Sequence, residues 1–123
     1  MIHLDSHIVI WTRANRSRLS GTARRLLEDE HCLVSPAVLL EVDGLFELGR
    51  IPFDAATAFE SLGSQTRLSV ADTPFLDVVN AARSFAWTHE PFDRLIVGAA
   101  MAEGVRLLTA DATILQHFAD AVW

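Results

Sequence analysis

His89-Glu90-Pro91-Phe92-Asp93-Arg94-Leu95-Ile96-Val97-Gly98-Ala99-Ala100 carries an acid two residues beyond a proline, at the start of an otherwise apolar run. Pro91 suits a first helical turn, where its missing N–H has no partner to lose. From Asp93, Val97 and Ala100 recur at i+4 and i+7 on one helix face. A helix apolar on nearly all sides is buried on several of them, so it belongs to the core of a fold. Its opening carboxylate has two readings. One is an acid favoured by the helix dipole, worth a few tenths to about 1 kcal/mol; the other is a functional group at the edge of the core.

Gly104 stops this helix, and Val105–Thr109 follows as a short apolar strand. The same alternation runs through the chain. Ile2-His3-Leu4 reads as a strand punctuated by Asp5-Ser6, followed by a short helix through Ile8–Trp11. Ser20 can cap a helix reaching Glu30, and Cys32-Leu33-Val34 reads as a buried strand. Ser35-Pro36 opens a helix that Gly49 closes; Arg50–Phe53 connects; Asp54 caps a helix to about Gly63. Leu68–Val70 is a strand, and Thr73-Pro74 starts a helix expected to reach about Trp87. Asp111 to Phe118 gives a last short helix, and Ala121–Trp123 an edge strand. Short apolar strands separated by helices indicate parallel pairing through right-handed crossovers. The expected fold is therefore α/β: a three-layer α/β/α sandwich with a mostly parallel sheet of four to five strands. The whole chain, 1–123, is expected to form a single domain.

Half the residues are hydrophobic, which argues against disorder. No apolar run is long enough to span a bilayer, and the first residues lack the pattern of a signal peptide. Cys32 is the only cysteine and fits a small core residue in a reducing, cytoplasmic setting. The net charge of −6 runs against a polyanionic partner. All ten basic residues are nevertheless arginine, and Arg13, Arg16, Arg18, Arg24 and Arg25 crowd into one stretch. Arginine is the better bidentate phosphate donor. The absence of lysine excludes Schiff-base chemistry and a P-loop.

Acids fall where such a fold collects chemistry, outside the carboxyl ends of its strands. Asp5 follows the first strand and Asp111 the strand ending near Thr109; each could equally serve as an N-cap. Glu41 sits with Val38, Leu45 and Leu48 at the margin of an apolar helical arc, where an acid either snorkels to water or has to be paired or coordinated. If Asp5, Glu41, Asp93 and Asp111 converge, each pair about 4 Å apart repels by roughly 4 kcal/mol at an effective dielectric near 20. Such a cluster shares protons or binds a cation. Oxygen ligands favour Mg²⁺ or Mn²⁺, ions that polarise a phosphoryl oxygen and activate water for hydrolysis.

Leu4-Asp5-Ser6-His7, the acid in Leu39-Leu40-Glu41-Val42, Pro91-Phe92-Asp93-Arg94-Leu95-Ile96 and Leu108-Thr109-Ala110-Asp111 together resemble PIN domains. Their order and spacing resemble the VapC toxins of bacterial type II toxin–antitoxin modules along essentially the whole chain. The resemblance implies a Mg²⁺- or Mn²⁺-dependent endoribonuclease, dimeric and inhibited by a cognate antitoxin protein. Asp5, Glu41, Asp93 and Asp111 would then be the catalytic, metal-holding acids. Ser6, Thr109 and, less directly, Ser35 would supply hydroxyls that orient them. Many relatives carry a lysine four residues after the helix acid, where this chain has Leu45. Arg94 and the group with Arg13, Arg16 and Arg18 are the substitutes for RNA contact.

The competing reading is a catalytically silent PIN-like module that binds protein or RNA, its acids serving as caps or ion-pair partners. The five histidines show no paired ligand spacing, and Trp11, Trp87 and Trp123 suit packing before base stacking. A response-regulator receiver would need a lysine near the last strand, and an aspartyl phosphatase a second acid where His7 stands.

Overall fold

The computed structural model describes residues 1–123. In chain order it comprises β1 (Ile2–Leu4), α1 (Ser6–Ala14), a 3₁₀ turn (Arg16–Arg18), α2 (Gly21–Asp29), β2 (His31–Val34), α3 (Pro36–Glu47), α4 (Ala55–Gly63) and β3 (Arg67–Val70). Then come α5 (Phe75–Arg83), α6 (Pro91–Glu103), β4 (Arg106–Leu108), α7 (Ala112–His117) and β5 (Ala121–Val122). All neighbouring strands pair in parallel, in the order β3-β2-β1-β4-β5. The first two crossovers step one way across the sheet; the last two run the other way. With right-handed connections, the two sets cover opposite faces, which gives the three-layer α/β/α arrangement. The direction reverses between β1 and β4, opening a crevice beyond their carboxyl ends.

Burial on both faces explains the unbroken apolar strands. Ile2, Leu4, Leu107 and Leu108 in the two central strands are wholly buried. In α6 five consecutive residues, Ile96 to Ala100, are buried, as its composition requires. Gly98 lets α5 approach closely: a Cβ there would lie 2.8 Å from the Val78 carbonyl oxygen and 3.0 Å from Ala82 Cβ. Gly104 ends α6 at φ +67°, the left-handed conformation that closes helices. No helix is long and apolar enough to cross a membrane.

The first helix begins at Ser6, directly after Asp5, whose carboxylate caps it as the Asp5-Ser6 punctuation suggests. The helix after Pro74 ends at Arg83 instead of reaching Trp87. Arg94 donates to the carbonyl oxygens of Ala82, in the helix's last turn, and of Phe85, just beyond it, at 3.1 and 2.8 Å. Beyond that end, Trp87 stacks on Phe85 and on His117, with ring centroids 4.9 and 5.1 Å apart. Thr73 does not cap α5; its hydroxyl donates to Glu103.

Candidate metal centre

Asp5 leaves the end of β1 only 4% exposed. Its Oδ1 accepts from Ser6 N–H at 2.8 Å, and its Oδ2 from the Thr109 hydroxyl at 2.6 Å. Thr109 itself accepts from Asp111 N–H at 3.0 Å. A hydroxyl has one proton to give, and here it goes to Asp5. Thr109 thereby ties the end of β4 to the end of β1 across the crevice. Burial pushes the Asp5 carboxyl up from its ordinary value, against the opposing pull of the Thr109 and Ser6 hydrogen bonds.

Glu41 projects from α3 and accepts from the Ser6 hydroxyl, which is itself wholly buried. Desolvation raises its carboxyl, and the Asp5 and Glu90 charges raise it further, while the Ser6 hydrogen bond opposes them. Asp93 lies in the first turn of α6 without capping it. That work falls to Glu90, whose two oxygens accept from Phe92 and Asp93 N–H at 3.2 and 2.7 Å. A residue directly before an N1 proline occupies the cap position, so its carboxylate reaches the third helical residue. The Glu-Pro-x-Asp spacing therefore sets Glu90 beside Asp93. Sequence reasoning passed over Glu90, although that spacing was its signal.

Glu41, Glu90 and Asp93 each offer one oxygen, and these three atoms lie within 4.8 Å of one another. Asp5 and Asp111 stand outside that trio but act on it electrostatically. Desolvation, then the charges of Asp5, Glu90, Asp111 and Glu41, push the Asp93 carboxyl up to about 7. The protein's ion pairs leave all five acids without an arginine partner. Each carboxylate oxygen carries two lone-pair sites, so the cap at Glu90 and the Ser6 bond at Glu41 leave acceptors free. A set of oxygen donors with uncompensated charge fits a hard divalent cation. Electrostatic frustration of this kind concentrates at functional sites.

The remaining candidates are dispersed. Asp111 caps α7 through Ile114 N–H at 2.9 Å. Ser35 caps α3, its oxygen accepting from Ala37 N–H at 3.2 Å. Leu45, one turn beyond Glu41, packs against the core. Arg94 faces the carbonyls that end α5 rather than the acids. Arg13 lies over Phe53, Arg16 donates to Gln65, and Arg18 lies over Trp11. These three group around the far end of α1. His7, exposed on the first turn of α1, exerts a charge effect on both Asp5 and Glu41 and so belongs to the site's margin.

The family profile described as PIN domain matches residues 2–120. A relative from Mycobacterium tuberculosis, Ribonuclease VapC22, is 31% identical over 117 residues, covering 93% of this chain and 89% of its own length. Among solved structures, a toxin–antitoxin complex from Klebsiella pneumoniae superposes with a TM-score of 0.68 at 14% identity, covering 100% of this chain and 97% of its own. VapBC2 from Rickettsia felis, bound to a DNA fragment from its promoter, gives a TM-score of 0.63 at 17% identity, with 94% and 92% covered. With a parallel sheet in the order β3-β2-β1-β4-β5 and acids gathered beyond its central strands, the chain belongs to the PIN domain family.

Proposed function

We propose that this protein is a Mg²⁺- or Mn²⁺-dependent endoribonuclease, the toxin of a toxin–antitoxin module, acting as one domain over residues 1–123. The observation that carries the reading is the convergence of Glu41, Glu90 and Asp93 where no arginine balances their charge. The likeness to a ribonuclease of Mycobacterium tuberculosis and to toxin–antitoxin proteins among the structural neighbours agrees with it.

Asp5, Glu41, Asp93 and Asp111, joined by Glu90, are the acids that would hold the cation. When bound, it supplies Lewis acidity at a phosphoryl oxygen and makes water ionisable near neutral pH. The chain's own groups do the positioning. Thr109 fixes the orientation of Asp5, and Ser6 does the same for Glu41. Glu90 anchors the start of α6 and with it the backbone of Asp93. With its carboxyl raised to about 7, Asp93 is about half protonated near neutral pH, so holding a cation there would be coupled to release of its proton. Arg13, Arg16 and Arg18 supply positive charge at the end of α1 for the RNA backbone. Exposed Leu40, Leu48, Phe75 and Leu76 offer apolar surface for a second copy or for the antitoxin. A cytoplasmic setting suits the unpaired, buried Cys32.

The test is incubation of the purified, partner-free chain with total cellular RNA in Mn²⁺, in Mg²⁺ and in chelator. Discrete fragments that depend on the metal are expected. Intact RNA from a folded protein that calorimetry shows to bind Mn²⁺ would contradict the reading and favour a silent binding module.

A further inference from the structure

Beside the acids lies a small cavity of about 180 Å³ lined by His7, Trp11, Ala110 and Asp111. Its walls come from the start of α1, just after Asp5, and from the segment between β4 and α7 that carries Asp111, so it lies at the acidic site's edge. The His7 and Trp11 rings, one helical turn apart on α1, are tilted at 51° with centroids 5.7 Å apart. Trp123, beyond β5, meets Trp11 edge-on at 5.9 Å. The Arg18 guanidinium lies over the Trp11 ring, 4.2 Å from its centroid. Trp11 and Trp123 are only half-buried and His7 is exposed, so core packing leaves this aromatic surface open to solvent. Two rings, His7 and Trp11, thus line the cavity itself, while Arg18 and Trp123 pack against Trp11 and hold it in place, an arrangement that suits a flat heteroaromatic group.

We propose that this cavity is a base-stacking subsite, which takes a nucleobase of single-stranded RNA next to the phosphate presented to the acids. It deepens the ribonuclease reading and rests on it. Single-stranded RNA carries a phosphate and a flat base on each nucleotide, matching an acidic site and an aromatic cavity that adjoin at the start of α1 and at Asp111. Stacking is tolerant of base identity, because every base has a π-face. Trp11 is accordingly a binding residue that sets the RNA's register, with His7 sharing the cavity wall and Arg18 bracing the Trp11 ring.

The test compares two labelled probes by fluorescence anisotropy in Ca²⁺: hexauridylate, and a ribose–phosphate hexamer of the same length lacking bases. The native chain is expected to prefer the base-bearing probe by about 5- to 100-fold, the range that one stacked base supports. Trp11→Ala should lose that preference, Trp11→Phe should keep part of it, and the abasic probe should bind all three proteins alike. Should Trp11→Ala fail to fold by circular dichroism, His7→Ala, a change at an exposed residue, is expected to reduce the preference as well. Equal affinity of the native chain for both probes would overturn the subsite and leave the cavity to a side chain of a protein partner. So would a preference that Trp11→Phe and His7→Ala leave unchanged. Cleavage of total RNA in Mn²⁺ by the same preparation separates the two claims. A base preference without cleavage would overturn the nuclease and not the platform; cleavage without base preference would do the reverse.

Discussion

Asp93 titrates at about 7 in the fold against 3.8 ordinarily, so the folded chain holds its proton more tightly than the unfolded one. The stability this gives is fully present below about pH 4 and is lost as pH rises through 7. Asp5 and Glu41, also raised, act in the same direction. His3 acts oppositely: wholly buried, it is depressed below 6.5, so its protonation in the unfolded chain removes stability as pH falls. Comparison with Asp93→Asn isolates the first effect. Without metal at pH 8, thermal melts should show Asp93→Asn more stable than wild type by about 1–2 kcal/mol, a figure discounted for a half-exposed site. That corresponds to roughly 3–8 °C in Tm, and the difference should shrink toward pH 4. Adding Mn²⁺ at pH 8 should raise the wild-type Tm and leave the variant's nearly unchanged. Thr109→Val keeps the shape of its site but removes the proton donated to Asp5. Calorimetric titration should show Mn²⁺ affinity falling about 10- to 100-fold, with melts reporting about 1–3 kcal/mol of lost stability.

At the scale of elements, α6 was legible because every local signal agreed: proline at the first position, an apolar body and a glycine stop. The role of its first turn was not. Sequence reasoning set capping against function at Asp93, whereas Glu90 does the capping and its charge adds to the cluster. Glu90→Ala should cost about 0.5–2 kcal/mol through the lost cap. Glu90→Gln keeps a cap oxygen and removes the charge, so an NMR titration should place the Asp93 carboxyl below 7. At Asp5 capping engages one oxygen only; the other accepts from Thr109, so the cap role does not exclude the site role proposed for it. The early end of α5 was invisible because it is set by Arg94 and an aromatic stack distant in sequence. The contact of α5 with α6 turns on Gly98. Urea unfolding of Gly98→Ala should show a loss of about 1–3 kcal/mol from overpacking, exceeding the 0.5–1 kcal/mol that alanine gains in a helix.

At the scale of the whole molecule, alternating strands and helices fixed a parallel three-layer fold, and the order β3-β2-β1-β4-β5 places the crevice between β1 and β4. That topology explains why acids far apart in sequence, at Asp5 and Asp111, act on one carboxyl at Asp93. The places of Asp5 and Asp111 beyond strand ends were readable from the sequence; the use of Arg94 as a carbonyl clamp was not, since it depends on where α5 stops. In the function proposed above, this acidic crevice binds a divalent cation in order to cleave RNA. The most direct measurement is the single-turnover rate of RNA cleavage against Mn²⁺ concentration, for wild type and for Asp93→Asn with native circular dichroism. Saturable, metal-dependent cleavage by wild type and a loss of at least about 100-fold in the variant, as removal of a charged catalytic group produces, is the predicted result. Equal rates in the two folded proteins, or cleavage indifferent to Mn²⁺, would contradict it.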